Sequence, residues 1–268
     1  MSTSNQDKGY VNMKKLVALV AVLFSVVVPV QSQAADAKSL VIIDSYFQSS
    51  VALNPITSNG SACKQVVPVK NATPSSPYNH GTAMYAVAKL QNPSLNIIPL
   101  CGATATAEMT PAMFINTLTW VNNNSSNIGA VSFSRFFNHA TKPCMPTASA
   151  PYTPETADKE IKRLIAALNA KGIQVFVSTG NVVGKSVNYP ACLTETKSVV
   201  HANEVGTALG QFNSNTNYFV KITDDGSKFA YATGTFGLVS HSSSSATAAL
   251  ASMWLTGVTS PGIVKAKI

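Results

Sequence analysis

Short apolar runs alternate with longer segments of helical periodicity along most of the chain, and this alternation limits the fold more than any other feature. In the clearest pair, Thr153-Pro154-Glu155 opens a helix that Gly172 closes, and the β-branched run Ile173–Ser178 follows at once. Such a succession is typical of parallel strands joined by helical crossovers. The pattern therefore predicts an α/β fold with three layers, α/β/α, and a mainly parallel central sheet.

Other segments repeat the pattern. Further strands are predicted at Ser39–Ile43, Lys64–Val69, Leu95–Leu100, Gly129–Ser134, Ser198–Ala202, Tyr218–Ile222 and Lys228–Thr233. The last two are predicted to form a hairpin through Asp224-Asp225-Gly226. Further helices are predicted to begin at His80, after Thr110, and at Ser244. Because the strand runs are apolar throughout, we expect helices to cover both faces of the sheet.

The N-terminal part has the layout of a secretory signal peptide. Lys14 and Lys15 precede the apolar run Leu16–Val30, and Ser32-Gln33-Ala34 then places small residues at its first and third positions. We expect translation to start at Met13, residues 1–34 to be an extension plus signal peptide, and residues 35–268 to form the mature domain. The run is shorter than the ~20 residues of a spanning helix, so an uncleaved anchor is the less favoured alternative. These features predict a secreted or periplasmic protein without membrane contact after cleavage.

Composition argues against two classes of protein, disordered chains and nucleic-acid-binding proteins. The chain is 46% hydrophobic and only 11% charged, which is opposite to the composition of disordered chains. Its formal net charge is +8, yet the charges are scattered, and no basic run alternates with aromatic residues as in nucleic-acid grooves. We therefore expect a globular domain that does not bind nucleic acid.

Four cysteines follow the predicted cleavage point: Cys63, Cys101, Cys144 and Cys192. An even number of cysteines in an exported chain favours disulfides over a metal site, with free buried thiols as the remaining alternative. Three connectivities are possible. The favoured one joins neighbours in sequence order, Cys63 with Cys101 and Cys144 with Cys192.

Polar residues stand where predicted strands end and helices begin. Asp44 ends the first strand, Asn181 follows the Ile173–Ser178 strand, and His80 and Ser244 open helices. Each has a purely structural alternative as a cap or turn residue. In open parallel sheets, however, ligands bind beyond the carboxyl ends of the strands, so these four residues are also candidates for a common site.

Four segments in this order resemble a known family. VIIDS at Val41–Ser45, NHGTAMYAV at Asn79–Val87, STGN at Ser178–Asn181 and SSSSATAALA at Ser242–Ala251 carry Asp, His, Asn and Ser in turn. Their order and spacing resemble the subtilisin-like serine peptidases, the subtilase family. YPACL at Tyr189–Leu193 and VSFSRF at Val131–Phe136 extend the resemblance over most of the mature chain.

The resemblance implies a secreted serine endopeptidase. It implies Ser244 as the nucleophile, His80 as its base, Asp44 as the carboxylate that orients the imidazole, and Asn181 as an oxyanion donor. Neither a metal nor a cofactor is implied. Ala246, two residues after Ser244, sets the register, and Ser243 and Ser245 are the alternative nucleophiles.

The resemblance also implies a substrate site and a monomer that acts on peptides or proteins. Substrate-binding residues would be Ser134, Arg135 and Phe136, with Ser178, Thr179 and Gly180. Phe136 stands where the family has glycine, so a small side chain is expected before the scissile bond. Tyr46 also replaces a usual glycine, and Ser242-Ser243 replaces Gly-Thr. These departures leave an alternative function, that of a catalytically impaired subtilase-like domain that binds extended peptides.

Overall fold

The computed structural model describes the greater part of the chain after residue 37. The described residues are 38–44, 47, 80–102, 109–135, 137, 144–183, 186–202, 208–212, 216–223, 230–231, 234–235, 242–257 and 262–267. The predicted extension and signal peptide (residues 1–34), the predicted Lys64–Val69 strand, Tyr46, Cys63 and Phe136 lie outside them. The division of the chain at residue 34 therefore stays a prediction.

Seven strands of the described residues form one sheet in which every neighbouring pair is parallel. They are β1 (Ser39–Asp44), β2 (Ile97–Cys101), β3 (Ile128–Phe133), β4 (Gln174–Ser178), β5 (Lys197–Ala202), β6 (Tyr218–Thr223) and β9 (Gly262–Lys267). Their order across the sheet is β2-β1-β3-β4-β5-β6-β9. The predicted parallel sheet is confirmed.

Two details at the C-terminal side differ from the prediction. The predicted hairpin between Tyr218–Ile222 and Lys228–Thr233 is wrong, because β6 pairs in parallel with β5 and β9. Instead, the short strands β7 (Ala230–Tyr231) and β8 (Gly234–Thr235) pair with each other in antiparallel fashion. The strand β9, which the sequence did not predict, covers the edge of β6. A short strand is decided by its partner more than by its own residues.

Four described helices of eight or more residues connect these strands. They are α1 (His80–Gln91), α2 (Pro111–Asn123), α3 (Pro154–Ala170) and α4 (Ser243–Trp254). Thr110 caps α2 by accepting a hydrogen bond from the N–H of Met113, as the sequence indicated. Thr153 and Thr156 form a reciprocal capping box on α3. Gly172, just after α3, has φ +76°, the left-handed conformation that ends helices.

Alternating side chains along the strands build two separate cores. On β1, Leu40 and Ile42 face the core shared with α1 and α4, while Val41 and Ile43 face the core shared with α2 and α3. This period of two is the geometry of an extended strand, and it makes three layers, with helices on both faces of the sheet. Asp44 continues the even-numbered series, so its position on β1 directs it toward α1 and α4.

Segments that follow β4 are fixed to the α3 side of the sheet. The predicted Cys144–Cys192 disulfide is confirmed, and Cys101 is also disulfide-bonded, whereas its predicted partner Cys63 lies outside the described residues. The hydroxyl of Tyr189 donates a hydrogen bond of 3.2 Å to Asp158 on α3. Burial, together with the charge of Asp158, raises the pKa of Tyr189.

Among the described helices, none has both the length and the apolar character needed to cross a membrane.

Candidate active site

Asp44 and His80 are in direct contact. Asp44 is the last residue of β1 and is fully buried, and His80 is the first residue of α1. The imidazole Nδ1 lies 2.8 Å from each carboxylate oxygen of Asp44. Because a carboxylate only accepts hydrogen bonds, Nδ1 carries the proton in this pair, and Nε2 is the nitrogen able to accept another. This tautomer is the one a general base requires.

Arg135 contacts the same carboxylate. Its Nε lies 3.1 Å from Oδ1 of Asp44, and the arginine side chain is only 18% exposed. The family resemblance implied that Arg135 binds substrate, and it gave no hint of this ion pair. The guanidinium compensates the charge of a carboxylate that is fully shielded from water. The only sequence signal for the Arg135–Asp44 ion pair was that an arginine directly follows the predicted strand Gly129–Ser134.

The serine cluster opens helix α4. Ser242 is the N-cap, and its Oγ accepts a hydrogen bond from the N–H of Ser245. Backbone N–H groups in a first helical turn have no partner within the helix. The N–H of Ser243 donates to Oδ1 of Asn181 at 2.8 Å. That arrangement leaves the N–H of Ser244, at the positive end of the helix dipole, for an outside acceptor.

Hydrogen bonds separate the three candidate nucleophiles. The hydroxyl of Ser243 donates to the carbonyl of Gly180 at 2.7 Å and accepts from the N–H of His201, while that of Ser245 contacts the capping Ser242 hydroxyl. Both serines are fully buried, whereas Ser244 is 5% exposed. Local structure thus commits Ser243 and Ser245 to holding the helix, and of the three serines only Ser244 retains any exposed surface.

Asn181 is held with its amide nitrogen available. Its Oδ1 accepts from Ser243, so Nδ2 remains as the donor, and the residue is exposed directly after Gly180. Gly180 has φ +112°, and a Cβ there would overlap the side-chain amide of Gln211. Only glycine fits this turn, and the turn carries Asn181 to the start of α4.

The predicted substrate strand lies beside Ser244. The hydroxyl of Ser244 donates to the carbonyl of Ser134 at 3.3 Å, and the hydroxyl of Ser134 donates back to the carbonyl of Ser244 at the same distance. Residues 134 and 135 therefore connect Ser244 to Asp44. Among the contacts of the described residues, no hydrogen bond joins Ser244 to His80; the serine hydroxyl is directed to Ser134 instead.

Two of the other predicted substrate residues are bonded within the protein. The N–H of Thr179 donates to Val199, and its carbonyl accepts from the N–H of Asn188. The carbonyl of Gly180 accepts from both Ser243 and the N–H of Gln211. Ser178 is buried at the end of β4. These backbone groups of Thr179 and Gly180 are hydrogen-bonded within the protein, and the substrate role of residues 178–180 stays a prediction.

The described residues include three kinds of group that nucleophilic acyl transfer uses: an oriented imidazole, a serine at a helix N-terminus and a fixed amide donor. Within the described part of the chain, no group of three or more His, Cys, Asp or Glu side chains could hold a metal ion.

Comparisons with known proteins agree on the fold. No protein-family model and no curated protein sequence matches the chain. Among solved structures, the prenylagaramide maturation protease PagA matches with a TM-score of 0.51 at 13% identity, covering 81% of this chain and 75% of that one. The PatG macrocyclase in complex with a peptide matches with a TM-score of 0.50 at 12% identity, covering 82% and 75%. The chain thus shares its three-layer α/β fold with this maturation protease and this macrocyclase.

Proposed function

We propose that this chain is a secreted serine endopeptidase with Ser244 as nucleophile, His80 as general base and Asp44 as the group that orients the base. The observation that carries the proposal is the contact between Asp44 and Nδ1 of His80, which leaves Nε2 as the nitrogen that can accept a proton. Asp44 ends β1, at the same edge of the sheet as the N-terminus of α4. A cap or turn residue has no need of such a partner.

In the proposed reaction, Oγ of Ser244 leaves the Ser134 carbonyl and attacks the scissile carbonyl carbon while His80 Nε2 takes its proton. The carbonyl oxygen gains negative charge and accepts hydrogen bonds from Nδ2 of Asn181 and the N–H of Ser244. As the C–N bond breaks, His80 gives the proton to the departing amine. Water then attacks the acyl ester by the same proton path and releases the acid, and no cofactor takes part.

Arg135 has a place in this proposal. Its guanidinium balances the buried Asp44 carboxylate when His80 is neutral. Its backbone, with that of Ser134 and Phe136, would hold the substrate as an added strand. A monomer is expected to be sufficient, because each proposed catalytic group comes from the same chain.

A catalytically impaired peptide-binding domain is the second candidate. The observation that favours it is the Ser244 hydroxyl, which donates to Ser134 and not to His80. In this alternative, the fold holds an extended peptide beside residues 134–135 without cleaving it.

A fluorophosphonate probe separates the two candidates. Such a probe phosphonylates a serine only when a base takes its proton, so the mature protein should be labelled at Ser244 and the Ser244→Ala variant should not. Mass spectrometry of the labelled peptide distinguishes Ser244 from Ser243 and Ser245. An unlabelled protein that still binds peptides would be a binding domain.

A further inference from the structure

The turn that carries Asn181 is held through the residue before it, Gly180. The carbonyl of Gly180 accepts two hydrogen bonds, one of 3.2 Å from the N–H of Gln211 and one of 2.7 Å from the hydroxyl of Ser243. Asn181 itself is exposed, and its Oδ1 accepts from the N–H of Ser243. The position of the Asn181 amide therefore depends on where Gly180 and Ser243 lie.

Two buried side-chain amides close the space beside the Cα of Gly180. A Cβ built on Gly180 would overlap the amide of Gln211 and would lie 2.7 Å from Nδ2 of Asn188. Gln211 is only 4% exposed, and Asn188 is only 6% exposed. Because Gly180 has φ +112°, the chain can place no side chain of its own at this point, and the turn packs against the two amides instead.

The segment that contains Gln211 also reaches the start of α4. A bridge between residues 202 and 208 anchors this segment to the end of β5. A Cβ at Gly210 would overlap the carbonyl of Gly180 and would lie 2.6 Å from Oγ of Ser243. Residues 210 and 211 are therefore packed against both groups that hold Asn181.

The oxygen of the Gln211 amide makes no bond that would explain its place. Among the contacts of the described residues, Oε1 of Gln211 and Oδ1 of Asn188 are buried without a hydrogen-bond partner. A buried oxygen in this state costs folding free energy, which an apolar side chain of the same size would not. What the Gln211 side chain supplies to the turn is its volume beside Gly180.

We propose that Gln211 is a positioning residue for the oxyanion donor, because its side chain fills the space beside Gly180 and thereby holds Asn181 at the start of α4. This inference rests on the proposed function, since the place of Asn181 affects turnover only if its Nδ2 donates to the oxyanion. Misplacement of a catalytic group by about 1 Å can cost about 10²-fold in rate. Truncation of Gln211 would empty the space and let the turn move.

Two substitutions of Gln211 test the role of its volume. Gln211→Ala should lower kcat for a fluorogenic peptide by roughly 10-fold and leave KM nearly unchanged, because the oxyanion forms only after attack. Gln211→Met fills a similar volume without an amide, so its kcat should stay within about 2-fold of the wild type. An unchanged kcat in Gln211→Ala, or an equal loss in both variants, overturns the inference.

A double-variant cycle shows whether Gln211 acts through Asn181. In the Asn181→Ala background, Gln211→Ala should lower kcat no further, because the donor that it positions is already gone. The same loss in both backgrounds would assign Gln211 to general packing and would overturn its role as a positioning residue.

Hydrogen exchange measured by NMR separates failure of this inference from failure of the proposed function. The N–H of Ser243 is bonded to Oδ1 of Asn181, so its protection reports the place of Asn181 without any turnover. Gln211→Ala should speed this exchange severalfold toward the rate in Asn181→Ala, while Gln211→Met should not. That result supports the positioning role even if fluorophosphonate never labels the wild type, which would count against the peptidase. Exchange at the wild-type rate in Gln211→Ala overturns the inference.

Discussion

The helical layer that carries His80 and Ser244 is packed with small side chains, whereas the layer on the opposite face of the sheet is packed with large ones. The small side chains of α1 and α4 are Ala83, Ala88, Ala246, Ala248, Ala249 and Ala251. The large side chains of α2 and α3 are Phe114, Ile115, Leu118, Ile161, Leu164, Ile165 and Leu168. Both sets are buried, so the difference lies in how closely the helices can approach.

Close approach allows polar contacts to fix the layer formed by α1 and α4. The hydroxyl of Ser252 on α4 donates to the carbonyl of Ala88 on α1 at 2.8 Å, which requires the two backbones to be near each other. On the other face, bulky side chains supply more buried apolar area per residue. The comparison indicates that one layer sets positions with small residues and hydrogen bonds, while the other supplies much of the stability.

The largest expected effect is a loss of peptide hydrolysis without a loss of folding stability. Ser244→Ala and His80→Ala should each lower peptide hydrolysis by about 10⁶-fold, and the double variant should lose little more, because the two residues act as one unit. Turnover of a fluorogenic peptide measures the loss, and thermal unfolding should show an intact fold. Additive losses would argue against a shared proton transfer.

Asn181→Ala should lower turnover by about 10²- to 10³-fold, since it removes one donor to the oxyanion but leaves the nucleophile in place. Fluorophosphonate labelling of Ser244 should remain detectable. The unfolding midpoint should also fall somewhat, because the substitution leaves the N–H of the buried Ser243 without its acceptor. Unchanged turnover would remove Asn181 from the site.

Leu164→Ala tests the stabilising face. This side chain on α3 is buried among large neighbours, so its truncation should cost about 2–5 kcal/mol of unfolding free energy through lost contacts and a cavity. Urea denaturation measures the loss. Below the transition, the labelling rate at Ser244 should equal that of the wild type; a slowed rate would show that the two layers are coupled.

Ala249→Leu is the matched change in the layer formed by α1 and α4. Ala249 on α4 is fully buried, and a larger side chain would push the helix away from its neighbours at a cost of about 1–3 kcal/mol. Here labelling of Ser244 should slow as well, because the whole helix moves. A destabilised variant labelled at the wild-type rate would contradict the positioning role of the small residues.

Alkaline pH should produce the smallest effect, through Tyr189. Its pKa is raised in the folded protein, so the folded state keeps this proton when the unfolded chain releases it near pH 10. Stability is therefore retained below about pH 10 and falls above it, by up to about 1.4 kcal/mol per pH unit for this group. Tyr189→Phe should show a shallower fall between pH 9.5 and 11 in urea denaturation. Parallel curves for the two proteins would refute the assignment.

Much of the architecture followed from local sequence. The strands β1 and β4 are apolar runs with few alternatives, and α3 carries its own start and stop signals at Thr153 and Gly172. The buried face of α3 matches the 3.6-residue period of its apolar residues. By contrast, β7 and β8 have only two residues each, and the six residues of β9 include two lysines, so these strands lack a continuous apolar run and form through pairing with their neighbours.

For the candidate site, the sequence by itself determined the residue types, their order and their places at strand and helix ends. It could do so because Asp44, His80, Asn181 and Ser244 each lie within a local segment that carries its own signal. Only the tertiary structure decided what depends on distance between segments. It joined Arg135 to Asp44 and used the N–H of Ser243 to hold Asn181. Those contacts arise because crossover connections bring strand ends together at one edge of the sheet, which no short stretch of sequence records.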